Sequence, residues 1–262
     1  MPTQVIAVAN QKGGVGKTTT SVNLAACLAA LGQRTLLIDL DPQANATSGL
    51  GLEKTEGHSS YQPLLGEGGL QEKIKPTAYE NLSIIPSELD MCGAEVEMSR
   101  LENHIQRFRT ILEPIRNSSQ FDLIIVDCPP ALGVLTLNVF AATDWLLVPL
   151  QCEYYALEGI SSINRIINQL RDNGVNSDLK VLGVLMTMFD GRTRLAAQVV
   201  GEVRQHFGDL VFDTLIPRTT RLAEAPSFGK PIIYYDKYSM GASAYEVFTE
   251  EVVKRLNAHA AA

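Results

Sequence analysis

Val5-Ile-Ala-Val-Ala-Asn-Gln-Lys12-Gly-Gly-Val-Gly-Lys17-Thr-Thr19 runs a short apolar segment into a glycine-rich turn and then into helix-forming sequence. The apolar run Val5–Ala9 reads as a buried strand, and from Lys17 to Leu31 apolar residues recur at helical spacing (Val22, Ala25, Ala26, Ala29) before Gly32. Between the two, Gly13, Gly14 and Gly16 let the backbone curl so that successive N–H groups point inward, a nest for phosphate oxygens. Lys17 supplies a point charge for β- and γ-phosphates, the Thr18 hydroxyl reaches a Mg²⁺ ion, and the helix start adds its positive dipole end. Strand, loop and helix stand in the order a phosphate-binding loop demands. Gln11 replaces the first glycine of the common GxxxxGK[ST] form, and a second lysine, Lys12, stands at the head of the loop.

Outward from this loop the chain alternates strand and helix. Thr35–Asp39, Leu82–Ile85, Leu123–Asp127, Leu146–Pro149 and Val181–Thr187 are further apolar strands. Helices are expected over Met98–Ile115 (ended by Pro114 and Asn117), Leu157–Arg171, Thr193–Phe207 and Ser239–Leu256. Near-continuous apolar strands separated by helices describe a mostly parallel sheet covered on both faces. The expected fold is α/β, one doubly wound domain over residues 1–262, with Gly51–Ala78 as a loop-like insertion.

Carboxylates at strand ends complete a nucleotide site. Asp127 ends the strand Leu123–Val126, where an aspartate can hold the Mg²⁺ shell. Asp39 and Asp41 follow the second strand. At the carboxyl ends of parallel strands all three face the same crevice as the phosphate loop.

Composition sets the outer bounds. The 262 residues carry 22 Lys+Arg against 29 Asp+Glu, a net charge of −7. Hydrophobic residues at 45% and charged residues at 19% exclude disordered and fibrous classes. The longest apolar runs fall far short of the roughly 20 residues of a membrane span, and the opening MPTQVIAVAN lacks the basic start of a secretory signal. A cytoplasmic protein is expected. Cys27, Cys92, Cys128 and Cys152 form no CxxC pair and read as reduced, small apolar residues. The acidic balance at first argues against a nucleic-acid partner, since duplex binding rests on Lys and Arg meeting phosphate. Between Asp190 and Lys230, however, six Lys/Arg face five acids, so that region is close to neutral.

Lys12–Thr19 resembles the deviant Walker A loop of the ParA/MinD branch of P-loop ATPases, in which the extra lysine is diagnostic. Leu37-Ile-Asp-Leu-Asp-Pro-Gln-Ala-Asn45, Ile125-Val-Asp-Cys-Pro-Pro130, Gln151-Cys-Glu-Tyr-Tyr-Ala-Leu-Glu-Gly159 and Ile216-Pro-Arg-Thr-Thr-Arg-Leu-Ala-Glu-Ala-Pro226 are similar to the chromosomal, Soj-type partition ATPases. The likeness runs from about Thr3 to Leu256 and is to the short form, without a DNA-reading domain ahead of Val5.

The resemblance implies ATP and Mg²⁺ as ligands and ATP hydrolysis, slow until a partner stimulates it. Gly13, Gly14, Val15, Gly16, Lys17, Thr18 and Thr19 would bind the nucleotide, with Pro217 and Arg218 lining the adenine pocket. Thr18 and Asp127 would hold the metal, with Asp39 supporting it from behind. Asp41 would orient the attacking water. Lys12 would reach across a nucleotide-sandwich homodimer to the partner's ATP. DNA, bound without regard to sequence, would meet Arg192 and Arg221, and more weakly Arg194 and Lys230. A ParB-type protein bound at the centromere would trigger hydrolysis and release, and the ATP form would sit on the nucleoid.

Two neighbouring families offer alternatives. A membrane-surface ATPase of the MinD type ends in an amphipathic helix, for which Val252, Val253 and Leu256 make a narrow stripe. A redox protein similar to the nitrogenase iron protein would use two cysteines, here Cys92 and Cys128, outside any glycine-rich cluster context. Plasmids, receptor arrays or carboxysomes could replace the chromosome as cargo.

Overall fold

The structure is a computed structural model that describes residues 3–153 and 167–260. Its strands are β1 (Gln4–Val8), β2 (Thr35–Asp39), β3 (Lys75–Pro76), β4 (Leu82–Ile85), β5 (Leu123–Asp127), β6 (Trp145–Gln151), β7 (Lys180–Phe189) and β8 (Val211–Pro217). They form one eight-stranded sheet in the order β3-β4-β2-β5-β1-β6-β7-β8. Every pairing is parallel except that of the two-residue edge strand β3 with β4.

Burial explains why the strands read as unbroken apolar runs. Alternate residues of each strand feed two cores, one on each face. Val5 and Ala7 of β1, with Ile124 and Val126 of β5, face one core, and Ile6, Val8, Leu123 and Ile125 face the other. The first core is closed by α4 (Met91–Met98), α5 (Arg107–Asn117), α6 (Val134–Ala142) and α7 (Arg194–Phe207). The second is closed by α1 (Lys17–Ala30) and α10 (Met240–Ala260). The short helices α2 (Asn45–Gly49), α3 (Tyr61–Leu65), α8 (Thr220–Glu224) and α9 (Ile232–Tyr235) fill connections.

Several boundaries depart from the sequence reading. Of the helix expected over Met98–Ile115, Arg107–Ile115 forms within α5, whereas Met98 ends α4 and residues 99–106 are turns, among them Asn103 at a left-handed φ of 54°. Pro114 does not end α5; the helix continues to Asn117 because Phe108, Leu112 and Ile115 bury one face. The segment Gly51–Ala78 is partly ordered into α3, a 3₁₀ turn at Leu70–Lys73 and β3. Strand β8 was not anticipated. Of the helix expected over Leu157–Arg171, residues 167–171 are helical and the rest lies outside the described residues, as does the part of the Gln151–Gly159 motif beyond Glu153.

The C-terminal apolar stripe is not a free surface. Val252 and Leu256 are buried and Val253 packs beside them, against the sheet face that α1 also covers. Among the described residues no helix is long and apolar enough to cross a membrane. Phe108, fully buried at the start of α5, offers a check on the packing. Phe108→Ala is expected to cost about 3–5 kcal/mol, read as a lower urea midpoint at unchanged slope.

Candidate active site

Sheet order and register assemble the site. β1 has β5 on one side and β6 on the other, so the crevice beyond its carboxyl end is a topological switch point. Val8 aligns with Asp127 across β1 and β5, and Asp39 aligns with Asp127 across β2 and β5. The loop after β1 and the two strand-end acids therefore emerge side by side.

The loop is held open and stapled from two sides. Gly14 and Gly16 have φ of 73° and 89°, and nothing lies within 4 Å of where a Cβ on Gly13 or Gly14 would sit. Asn10 donates from Nδ2 to Pro149 O (2.8 Å) and accepts from Lys12 N (3.0 Å), tying the loop to β6. Thr187 of β7 donates to Val15 O (2.8 Å) from the other side. Val15 itself is buried, so its contribution to the nest is its backbone.

Two cavities adjoin here. One of about 320 Å³ is lined by Gly13, Gly14, Gly16, Lys17, Thr18 and Thr19, facing Asp41 and Gln43. A second of about 470 Å³ shares Gly16, Thr19 and Met188 with it and is lined by Ile216, Pro217 and Arg218, with Arg192 at its edge. Met188, at the junction, has a φ of 52° in a residue without glycine's freedom. Phosphate-loop residues and Asp41 thus share one cavity, and Pro217 and Arg218 line the one that adjoins it.

The three acids differ sharply in what they touch. Asp127 is fully buried; Oδ1 accepts from Ser21 Oγ at 2.8 Å, and Oδ2 has no partner among the described residues. Burial, together with the neighbouring Asp39 carboxylate, pushes its carboxyl up to about 8. Asp39, also fully buried and raised to about 6 by desolvation, is surrounded by donors: Thr47 N (2.8 Å), Thr47 Oγ1 (2.7 Å) and Asp41 N (3.2 Å). Asp41 accepts from Gln43 N (2.9 Å) and borders the first cavity. Lys17 is buried, which lowers its pKa against the opposing pull of Asp127 and Asp41, and its Nζ donates to Lys12 O at 3.0 Å.

A buried carboxylate oxygen without a partner among the described residues, at the end of the strand beside β1 and its phosphate loop, is chemistry that suits a hard divalent cation. The residues present therefore fit a magnesium-bound nucleotide. Cys128 is fully buried and Cys92 exposed.

The remaining candidates are spread over the surface. Lys12 pairs with Glu153 at 2.8 Å, and both side chains are about half exposed. Arg192 forks onto Asp190 (2.9 and 2.7 Å), holding that carboxyl down to about 2. Arg221 pairs with Glu224 (3.2 Å) and Asp236 (3.3 Å). Arg194 and Lys230 are exposed. Asn10, Ser21, Thr47, Glu153 and Thr187 escaped the sequence reading. Only Ser21, one turn after Lys17 on the helix, had a local signal; the others act across 8 to 172 residues of chain or through backbone groups.

A family model described as an AAA domain matches residues 3–181. The chain is 49% identical over 253 residues to the chromosome partitioning protein ParA of Myxococcus xanthus, covering 96% of this chain and 88% of that one. It is likewise 49% identical over 250 residues to the sporulation initiation inhibitor protein Soj of Bacillus subtilis, covering 95% and 98%. Among solved structures, cobyrinic acid a,c-diamide synthase from Mycobacterium smegmatis with bound ADP and magnesium superposes with a TM-score of 0.83 at 35% identity, covering 97% of this chain and 96% of that one. The extra lysine of the phosphate loop, the strand-end acids that adjoin it and these near full-length likenesses agree: the chain belongs to the ParA/Soj family of chromosome-partitioning ATPases.

Proposed function

We propose that the protein hydrolyses Mg²⁺-ATP to switch between a free form and a DNA-bound homodimer, and so partitions DNA. The observation that carries this reading is the cavity in which Gly13, Gly14 and Gly16–Thr19 face Asp41. Magnesium, held by Thr18 and Asp127 and by the phosphates, would neutralise charge on the β- and γ-phosphate oxygens.

The chain's own residues do the rest. The backbone N–H groups of the loop cradle the phosphates, and Lys17 gives up its bond to Lys12 O for a phosphate oxygen. Asp41 orients the attacking water. Lys12 leaves Glu153 and reaches the nucleotide of a second copy, where its charge offsets that developing during phosphoryl transfer. Pro217 and Arg218 wall the neighbouring cavity, which takes the base.

DNA binding falls to Arg192 and Arg221, assisted by Arg194 and Lys230. Both principal arginines are exposed and already paired with carboxylates, so phosphate must displace those acids. Exposed pairs of this kind are weak, which makes the exchange easy but the resulting grip weak in one subunit. A dimer doubles the patch, and a ParB-type partner ends the cycle by stimulating hydrolysis.

The test is DNA binding with ADP, ATP and a non-hydrolysable analogue across a salt series. Binding confined to the ATP forms, with a steep salt slope, is expected; equal binding in all three states would sink the switch. Arg192→Glu or Arg221→Glu should remove DNA binding at physiological salt while sparing ATP-dependent dimerisation. The milder Arg→Ala changes should lower the salt slope by about 2 per dimer, one phosphate contact from each subunit.

A further inference from the structure

The fully buried Asp39 carboxylate spends its hydrogen bonds on one short loop. Its Oδ1 accepts from Asp41 N (3.2 Å), where the chain leaves β2, and its Oδ2 accepts from Thr47 N (2.8 Å), where the chain has entered α2. One side chain thus pins both ends of residues 40–47. Within the loop Ala44 is held at a φ of 51°, with its N–H on Asp41 O at 2.8 Å, a strained turn that persists only when its surroundings impose it.

The Thr47 hydroxyl is the keystone of this arrangement. It donates to Asp39 Oδ2 (2.7 Å) and accepts from Ser87 N (2.9 Å), just beyond the end of β4. Thr47, Asp39 and Ser87 are all without solvent exposure, so no water can replace a lost partner. The hydroxyl therefore joins β4, β2 and the loop that presents Asp41 to the phosphate-binding cavity.

We propose that Thr47 is a positioning residue for hydrolysis: its hydroxyl, bridging Ser87 N–H and the Asp39 carboxylate, fixes the loop so that Asp41 meets the attacking water. Asp39 then acts through Asp41, and Asp127, with its free oxygen, is the acid that serves the metal. The inference rests on the reading of Asp41 as the water-orienting residue. Displacement of such a group by about 1 Å costs roughly 10²-fold in rate, whereas the glycine nest and Lys17 lie outside the network and should bind nucleotide as before.

Thr47→Val keeps the side-chain shape and deletes only the hydroxyl. Single-turnover hydrolysis should fall about 10–100-fold, while the dissociation constant of a non-hydrolysable ATP analogue stays within about threefold. Thr47→Ser should restore hydrolysis to within about threefold of the parent, since its hydroxyl reaches the same two partners. In an Asp41→Ala background Thr47→Val should slow hydrolysis no further, a non-additivity that a general loss of packing would not produce. If Thr47→Val does not fold, Thr47→Cys, a weak donor of similar size, takes its place in each comparison. Parent-like hydrolysis in Thr47→Val, a parallel loss of nucleotide affinity, an equal loss in Thr47→Ser, or additive effects with Asp41→Ala would each overturn the proposal. Parent-like hydrolysis in Asp41→Ala would instead overturn the reading of Asp41 itself, so the two failures are told apart by that single variant.

Discussion

Asp41→Ala is expected to hydrolyse ATP about 10²–10⁴-fold more slowly than the parent while still binding ATP and dimerising. The split follows from what Asp41 touches. Among the described residues its carboxylate bonds Gln43 N alone, within its own loop, and it borders the cavity opposite the phosphate nest. None of its hydrogen bonds supports the Gly13–Thr19 loop, which is stapled instead through Asn10 and Thr187. Removing the carboxylate should leave ground-state binding intact and strip a transition-state contribution, lowering kcat with little change in KM. The ATP-bound dimer should then accumulate, visible as a stable dimer in size exclusion and as DNA binding that does not decay. Hydrolysis at the parent rate would show that another group orients the water.

The same contrast explains which parts of the molecule could be read from its sequence. Strands β1, β2, β4 and β5 are buried on both faces, so each appears as an unbroken apolar run ending where its function begins. Strand β8 is an edge strand in which Asp213 is exposed and Thr214 half-buried on Glu251, and Val-Phe-Asp-Thr-Leu-Ile-Pro carries no such run. Residues 99–106 are turns rather than helix, with Asn103 in the left-handed region, a conformation local pattern cannot distinguish from a helical asparagine. Glycines, lysines and acids of the site were legible because phosphate chemistry demands those residue types at those spacings. Their supports were not: Thr187 reaches Val15 across 172 positions and Thr47 meets Ser87 across 40, and threonine is ordinary in either strand or helix.

Net charge needs the same refinement. The value of −7 describes an average field, and read alone it opposes DNA binding. In the folded chain Arg192 and Arg221 stand exposed but neutralised by Asp190, Glu224 and Asp236, so one subunit offers little to a phosphate backbone. Under the proposed switch, two such patches side by side compete better than one. On that proposal, an acidic body with a few releasable arginines should give binding that is weak, salt-sensitive and dependent on dimerisation.

Lys12→Ala should have the other large effect, and of a different kind. Lys12 Nζ lies on Glu153 at 2.8 Å, away from the residues that line the phosphate cavity. Under the proposed role a single subunit does not use this ammonium to hold its own nucleotide, so the variant should bind ATP within a few-fold of the parent. What it should lose is the cation supplied to a second copy. Cations supplied in this way raise phosphoryl-transfer rates by about 10³–10⁵-fold, so hydrolysis should fall by that order and ATP should no longer produce a dimer. The pair with Glu153 is half exposed on both sides, worth about 0–1 kcal/mol, and so poses little barrier to the lysine's departure. Glu153→Gln should accordingly leave hydrolysis within about threefold of the parent, a change of under 1 kcal/mol. A Lys12→Ala protein that still dimerises with ATP and hydrolyses it normally would assign this lysine to its own subunit and its partner carboxylate alone. Loss of nucleotide binding in the same variant would place it in the cradle beside Lys17.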